Sequence, residues 1–425
     1  MNSQLSLEPE SPSLEAVLET FVRDGWERGI ATLPGATGGA LVSEDELFHA
    51  LVKTGCHSAE DEASRYVVWV GGELQKDPEA FAAKAEDASL SGYISRLAAL
   101  AGEREFTVLL PNPHRYDSTV RARVREFVSV LAKYSGIPCG GFDSGIFLGR
   151  YGKTPFGVHR GQMSVLTFPV LGTKRFLTWP RSYGERHVDI QDSLSYEHHL
   201  PTSSVLAAKP GDIAYWPADY WHIADGPIAA SAALNIGLWW DRPALDVSLR
   251  VFAESLSNDD GAEPDARECF NRDASQGSSA LEQALARIAR AAQSATTRAQ
   301  IELRWLSMLS AFGMRDTFPT RSFSSDPHVT AIRARLMPAE TIHTARLSTG
   351  QLGVALLGHT IVIDDESAIV EDVVRLNRGG SVLLQLEEAL RQPGARGNRH
   401  DFARLLAQSQ ACELFSPVLD EQACT

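Results

Sequence analysis

The chain has few cysteines and no long apolar run. Cysteine occupies five of its 425 positions with no Cys-x-x-Cys pair, and the five are Cys56, Cys139, Cys269, Cys412 and Cys424. This scatter excludes a disulfide scaffold and a cysteine-type zinc site, and it fits a reducing cytoplasm. No apolar run approaches the roughly 20 residues that a membrane-spanning helix needs. The polar, acidic start lacks the pattern of a signal or transit peptide.

Basic residues are also scarce relative to acidic ones. The chain has 40 Lys+Arg and 54 Asp+Glu, for a formal net charge of -14. Phosphate would be repelled by this balance, which excludes a general nucleic-acid or anionic-membrane binder. Residues 1–105 hold 19 acids and 8 bases, a net -11, whereas residues 141–245 hold nine of each. We interpret the acids of 1–105 as solvated faces of a mainly helical N-terminal region.

The length predicts more than one domain, and the sequence texture changes near residues 105, 245 and 325. Residues 1–105 form the acidic helical region. Residues 106–245 contain short segments rich in β-branched and aromatic residues, separated by Gly and Pro, such as 145–149 and 164–168. This pattern predicts a double-stranded β-helix, or jelly-roll, barrel flanked by helices, and therefore an α+β fold.

The C-terminal part predicts two further regions. Residues 246–324 contain a polar linker at 257–278 and a long helical stretch over 280–309. Residues 325–425 predict a winged-helix-like module, with a helix, strands at 354–357 and 360–363, an acidic helix, Gly379-Gly380 and two more helices. Residues 300–425 hold 12 Arg, no Lys and 15 acids, so packing or dimerisation suits this module better than DNA binding.

Two histidines and a lysine within 106–245 carry the predicted chemistry. His159 and His222 each stand at the edge of a strand-like segment, and a barrel brings such ends together at its mouth. Neutral imidazoles suit Fe, Zn, Cu or Ni, and two of them leave coordination positions open. Lys174 lies on the next strand but one after His159, where its ammonium can point into the barrel and would need an anion there.

These motifs together resemble the JmjC-type, cupin-like oxygenases that use Fe(II) and 2-oxoglutarate, over roughly residues 106–245. The matching motifs are Gly157-Val158-His159, Gly172-Thr173-Lys174, Pro210-Gly211-Asp212 and Tyr220-Trp221-His222. The resemblance implies that His159 and His222 bind iron and that Lys174 pairs with the far carboxylate of 2-oxoglutarate. It also implies that Thr167 and Asn235 assist at the cosubstrate. The helical segment and C-terminal module resemble the bacterial ribosomal-oxygenase branch, which implies a homodimer.

One position departs from the family pattern. The family places a carboxylate ligand two residues after the first histidine, and this chain has Gly161 there. Related halogenases carry Gly or Ala at this position, because a missing carboxylate opens a coordination site of matching size and charge for chloride. Two alternatives stay open. In one, Gln162, Asp143 or a water held by a carboxylate completes the site of a hydroxylase. In the other, the barrel is a non-catalytic binding module.

The sequence therefore predicts an iron enzyme with Gly161 and Lys174 as its catalytic residues. Its cofactors are Fe(II), 2-oxoglutarate and O2, with chloride for halogenation, and we favour chlorination of an amino-acid, peptide or natural-product substrate. Several aromatic residues are candidate pocket walls, although core positions are the simpler interpretation: Tyr151, Phe156, Trp179, Trp216 and Trp221. Three histidines in the polar stretch 186–199 are predicted to be surface residues rather than ligands: His187, His198 and His199.

Overall fold

A computed structural model describes most of the chain: residues 13–138, 140–240, 244–257, 279–314, 318–320, 331–338, 340–364, 367–385 and 397–415. The chain divides into two compact units, Met1–Asp241 and Arg242–Thr425. Residues 258–278 of the predicted linker lie outside the described residues, as do Cys139, Cys269 and Cys424. Within the described ranges, no helix is long and apolar enough to cross a membrane.

The first unit combines five helices with eleven strands among its described residues. The helices are α1 (Leu14–Asp24), α2 (Glu44–Gly55), α3 (Leu90–Leu100), α4 (Ser118–Ser135) and the short α5 (Arg181–Gly184). The first strands are β1 (Ala31–Leu33), β2 (Val67–Val70), β3 (Glu73–Leu74), β4 (Phe106–Pro111), β5 (Phe142–Lys153) and β6 (His159–Arg160). The later strands are β7 (Met163–Leu171), β8 (Lys174–Trp179), β9 (Ser204–Ala208), β10 (Ile213–Trp216) and β11 (Trp221–Trp239).

Strand β11 joins the two halves of the barrel. Its first residues pair with β6 and β8, and β9 adds to the far edge of β8. After a register shift between Asp225 and Ala229, its second part pairs with β5 and β7. The larger part follows the order β1-β10-β7-β11-β5-β4-β2-β3. All these pairings are antiparallel, and a bulge that bends a long strand lets it serve both halves of a double-sheet barrel.

Local sequence signals explain how the barrel is flanked and closed. Ser43 begins α2 with a capping box, in which Ser43 Oγ and the Glu46 carboxylate accept from each other's backbone N–H groups. Helix α4 buries one apolar face, where Phe127 meets Phe168 of β7 edge to face at 4.8 Å. Gly211 before β10 has φ +99°, a conformation that glycine adopts without strain. The acidic front is not helical throughout, because β1, β2 and β3 extend the barrel sheet.

Among its described residues, the second unit contains three successive helices, followed by strands with two further helices between them. Its helices are α6 (Ala244–Ser257), α7 (Ser279–Gln293), α8 (Ala295–Ser310), α9 (Ser367–Asn377) and α10 (Asn398–Gln408). Its strands are β12 (Ala331–Leu336), β13 (His343–Arg346), β14 (Leu352–Leu356), β15 (His359–Ile363), β16 (Ser381–Gln385) and β17 (Cys412–Phe415). They form two three-stranded antiparallel sheets, β16-β12-β17 and β13-β14-β15.

Several predictions for the second unit need correction. The helical stretch predicted over 280–309 is confirmed, and it is divided at Ser294, whose side chain caps the start of α8. The module starts with strand β12 where a helix is predicted, and residues 381–385 form strand β16 instead of a helix. Sheet pairing decides both cases, since β12 lies between β16 and β17. The predicted strands at 354–357 and 360–363 match β14 and β15. The winged-helix-like assignment stays a prediction.

Candidate functional site

A cavity of about 400 Å³ lies in the barrel of the first unit. Strands β5, β6, β7, β8, β10 and β11 all contribute side chains to its wall. It brings together every site residue that the sequence predicts: His159, Gly161, Thr167, Lys174, His222 and Asn235. Its volume is within the usual range for a small-molecule site.

Strand register places the two histidines side by side. His159 on β6 and His222 on β11 are direct antiparallel partners, and their ring centroids are 4.2 Å apart. Directly opposed residues on one face of a sheet bring their side chains together. We call His159 and His222 the cavity pair.

The surroundings of the cavity pair favour metal ligation. Nδ1 of His159 donates to the carbonyl oxygen of Gly157, and Nδ1 of His222 donates to that of Tyr220, each at 3.2 Å. This bond fixes the tautomer in which Nε2 keeps its lone pair, as metal-binding histidines do. Burial lowers the pKa of His159, and burial together with His159 lowers the pKa of His222 well below its usual value. Both imidazoles are therefore neutral and can bind a metal ion.

Position 161, where the related family has a carboxylate, lies beside the cavity pair. A Cβ atom built on Gly161 would lie 3.7 Å from Cε1 of His222 and 3.3 Å from the carbonyl oxygen of Met163. A side chain at this position would therefore start next to the histidine ligand. Among the described residues, no third His, Cys, Asp or Glu has a ligand atom within 4.8 Å of a ligand atom from each member of the pair.

The two predicted substitutes for that carboxylate take different positions. Gln162 lines the cavity but is exposed, between β6 and β7. Asp143 on β5 also lines the cavity, and its Oδ2 accepts from Trp239 Nε1 at 2.7 Å. Gly237 faces it across the strand pair, and a Cβ there would lie 2.3 Å from Asp143 Oδ1. Asp143 therefore lines the cavity, but none of its carboxylate oxygens lies within 4.8 Å of ligand atoms of both histidines.

Lys174 places a buried positive charge in the same cavity as the cavity pair. Its side chain, on the first residue of β8, is buried with 3% exposure. Its ammonium donates to Tyr151 Oη at 3.1 Å and makes no ion pair with a described carboxylate. A buried ammonium without a counter-ion is costly, so this position suits an anionic ligand.

Further polar atoms in the cavity wall lack partners. Thr167 on β7 and Asn235 on β11 are direct partners in the sheet, and Thr167 Oγ1 and Asn235 Oδ1 are buried without a hydrogen bond. Thr154 Oγ1 and Trp216 Nε1 are also buried without a hydrogen bond, and both residues line the cavity. An unsatisfied buried polar group costs about 1–3 kcal/mol, so these atoms fit a polar ligand that bonds to them. Sequence reasoning missed Thr154, whose type and position carry no distinguishing signal.

The candidate aromatic residues divide between the cavity and the core. Tyr151, Phe156 and Trp216 line the cavity. Trp179 and Trp221 instead belong to a buried cluster behind it, with Val158, Leu177, Ile190, Tyr196 and Ile223. Trp216 takes both positions, because it also belongs to a second buried cluster that contains Val165 and Phe176. The core interpretation is therefore right for Trp179, Trp216 and Trp221. The apolar wall and its few polar groups can together hold a divalent metal ion and a carboxylate ligand.

One prediction about the histidines of 186–199 is wrong. His187 and His198 are exposed, but His199, within the turn Glu197–Thr202, is buried. Its ring lies against those of Tyr183, His187 and His198, and its carbonyl oxygen accepts from Trp179 Nε1. Sequence polarity around it gave no sign of this burial.

Comparison with known proteins gives a likeness in structure. No protein-family model and no curated protein sequence matches this chain. The structure of YcfD, a ribosomal oxygenase from Escherichia coli, in complex with cobalt and 2-oxoglutarate, is similar with a TM-score of 0.50 and 14% identity. The match covers 93% of this chain and 97% of that chain. SnoN, a non-heme alpha-ketoglutarate-dependent epimerase from nogalamycin biosynthesis, matches with a TM-score of 0.30 and 12% identity over 53% of this chain and 83% of SnoN.

The likeness to YcfD extends over almost the full length of both chains, so it includes the barrel and the regions around it. Together with the strand pairing of the first unit, it confirms the predicted α+β fold. The chain has the double-sheet barrel fold of the JmjC-type, cupin-like oxygenases.

Proposed function

We propose that this chain is an Fe(II)/2-oxoglutarate-dependent enzyme that functionalises a C–H bond of its substrate. The observation that carries the proposal is one cavity with two neutral, tautomer-fixed imidazoles and a buried lysine without a counter-ion. The cobalt and 2-oxoglutarate in the YcfD structure support it, because that protein has a similar fold.

Each residue has a distinct task in this proposal. His159 and His222 hold the metal through Nε2, while the backbone carbonyls of Gly157 and Tyr220 keep their rings oriented. When bound, Fe(II) and 2-oxoglutarate supply the oxidation of the C–H bond by O2. Lys174 neutralises the far carboxylate of 2-oxoglutarate, and the hydroxyl of Tyr151 positions its ammonium. Thr167 Oγ1 and Asn235 Oδ1 offer further hydrogen bonds on the same wall.

Chlorination is the version of this function that we favour. A two-histidine site without a protein carboxylate has one more open position and one less negative charge than the usual two-histidine, one-carboxylate site. Chloride matches both differences. The absence of a third acidic or histidine ligand near both imidazoles among the described residues supports this version.

Hydroxylation is the second candidate, and Asp143 is the observation in its favour. Its half-buried carboxylate lines the same cavity and can orient a metal-bound water in place of the missing ligand. The two versions differ in one measurable property, the requirement for chloride.

Anaerobic reconstitution tests the proposal. The full chain is titrated with Fe(II) and 2-oxoglutarate at varied chloride, and succinate is measured after O2 is admitted. We expect both ligands to bind at micromolar concentrations and chloride to change the iron absorption spectrum. Binding of both without any chloride effect would favour hydroxylation. If neither ligand binds, the enzyme proposal fails and the barrel is a binding module.

Gly161→Asp separates the two versions, with Gly161→Asn as its matched control. A carboxylate starting 3.7 Å from the His222 ring should occupy the open position and abolish the chloride-dependent spectral change. Asn is equally large but uncharged, so Gly161→Asn should bind the metal more weakly than Gly161→Asp does. A chloride effect that is unchanged in Gly161→Asp would contradict chlorination at this site.

The substrate, partners and location follow from the same proposal. The apolar cavity suits a small-molecule or peptide substrate. We propose that the protein is cytoplasmic and binds neither nucleic acid nor membrane. The exposed Leu285 and Ile288 on α7 are the side chains that a homodimer would cover. Size-exclusion chromatography with light scattering tests that state.

A further inference from the structure

Three potential metal ligands come together outside the cavity, in the segment between β8 and β9. Asp189 lies on the 3₁₀ turn Val188–Ile190, and His198 and His199 lie on the 3₁₀ turn Glu197–Thr202. One ligand atom from each residue lies within 4.8 Å of the other two. We call these three residues the loop cluster.

The distances within the loop cluster suit a tetrahedral ion. Asp189 Oδ2 is 2.9 Å from His198 Nε2 and 3.4 Å from His199 Nε2. Ligands about 2.0–2.1 Å from a tetrahedral zinc ion are roughly 3.3 Å apart, close to both distances. Two imidazoles and one carboxylate are also the ligand types that zinc prefers when it keeps one position for water.

The buried nitrogen of His199 is the second observation that points to a ligand. The His199 side chain has 2% exposure, and its Nε2 has no hydrogen-bond partner although it faces the Asp189 carboxylate. Its Nδ1 lies 2.9 Å from the hydroxyl of Tyr183. When Nδ1 donates to that hydroxyl, Nε2 presents a lone pair toward a carboxylate, which is unfavourable unless a cation lies between them.

Asp189 and His198 are exposed, so an ion can reach the loop cluster from solvent. From this geometry we infer that Asp189, His198 and His199 form a structural site for a divalent transition-metal ion, with Zn²⁺ as the best match, separate from the cavity pair.

Such an ion would fasten the two turns of this segment to each other. The segment already pairs with the residue before His159, because Asp192 N–H donates to Val158 O at 2.7 Å and Val158 N–H donates to Ser193 O at 3.0 Å. Ile190 and Tyr196 from the same segment pack in the buried cluster that contains Val158 and Trp221. The site therefore stabilises the wall behind the cavity pair.

Zinc stoichiometry in the full chain tests this inference. Metal-free protein is titrated with Zn²⁺ against a chromophoric chelator, and the thermal unfolding midpoint is measured with and without Zn²⁺. Asp189→Asn and His198→Ala remove exposed ligands, so both variants should fold. We expect each variant to lose one zinc equivalent, or to bind it more than about 100-fold more weakly, and to lose the corresponding stabilisation by zinc.

Two controls separate this site from the cavity. Asp192→Asn makes the same charge change in the same segment, at an exposed residue outside the loop cluster, and should bind zinc as the unchanged chain does. The double variant His159→Ala/His222→Ala should keep the equivalent that Asp189→Asn loses, whether or not the cavity binds metal. The inference is overturned if Asp189→Asn and His198→Ala bind zinc as the unchanged chain does. It is also overturned if zinc binding is lost only in the His159→Ala/His222→Ala variant.

Discussion

The two histidine groups of the first unit differ in what holds them and in what they lack. The cavity pair lies on paired strands, where the register of β6 against β11 sets the ring positions. The loop cluster lies on two short turns nine residues or more apart in sequence, which tertiary packing brings together. The cavity pair has no acidic partner near both rings among the described residues, whereas the loop cluster contains Asp189.

This difference separates two kinds of metal chemistry. Fewer protein ligands leave more coordination positions for exogenous molecules, which a catalytic site requires. The loop cluster offers three protein ligands on two turns, so an ion bound there would connect those turns. The cavity pair offers two, and Gly161 in place of the family's carboxylate leaves one more coordination position for an exogenous ligand.

The largest expected effect comes from removing one imidazole of the cavity pair. His222→Ala should weaken Fe(II) binding in the cavity by more than about 100-fold, since a direct ligand contributes more than the 10–100-fold of an outer partner. Anaerobic equilibrium dialysis measures this. His198→Ala is the matched control and should change the Fe(II) affinity of the cavity by no more than about twofold. Equal losses of affinity in the two variants would mean that the cavity pair and the loop cluster bind one and the same ion.

A second prediction concerns the anion side of the cavity. Lys174→Met keeps the apolar stem and removes the charge, so the Kd for 2-oxoglutarate should rise about 10–100-fold, the value of charge-assisted hydrogen bonds worth about 1.5–3 kcal/mol. Isothermal titration calorimetry with Mn²⁺ present measures it. Lys209→Met, at an exposed lysine, is the control. An unchanged Kd in Lys174→Met would show that Lys174 does not bind 2-oxoglutarate.

The third prediction concerns the outer partner of the loop cluster. Tyr183→Phe removes the hydroxyl at Nδ1 of His199 and should weaken zinc binding there by about 10-fold. Chelator competition measures the change, and Fe(II) binding in the cavity serves as the internal control. If zinc affinity rises or stays constant, Tyr183 does not orient His199.

The smallest effect comes from a buried histidine in neither group. Burial lowers the pKa of His114 to about 3, and Ser144 Oγ lies 2.7 Å from its Nδ1. Protonation therefore favours the unfolded chain, whose histidine has its ordinary pKa. The stability from His114 is complete only well above pH 6.5 and is lost as the pH falls toward 3, by about 1.4 kcal/mol at pH 5.5.

Urea unfolding of the metal-free chain at pH 7.5 and 5.5 measures this loss. His114→Asn should show a weaker dependence of its unfolding free energy on pH. The exposed His49→Asn should keep the dependence of the unchanged chain. Equal pH dependence in all three proteins would mean that His114 is accessible to protons in the folded state.

In this chain, sequence patterns predict the positions of strands in the barrel better than they predict the secondary structure of the second unit. The segments 145–149 and 164–168 lie within β5 and β7, because alternation and flanking Gly or Pro are local signals. The helix predicted near 381–385 is strand β16, because its partner β12 lies about 50 residues earlier in the chain. Propensity does not contain such long-range pairing.

The sequence by itself predicted that His159, Lys174 and His222 share one cavity of this protein, because strand ends meet at the mouth of a barrel. Only the tertiary structure decided the tautomers of the cavity pair, the position of Gly161 beside His222, the part of Thr154 in the cavity wall and the meeting of Asp189 with His198 and His199. These depend on register, backbone carbonyl positions and the packing of an irregular segment, and none of them follows a period along the chain.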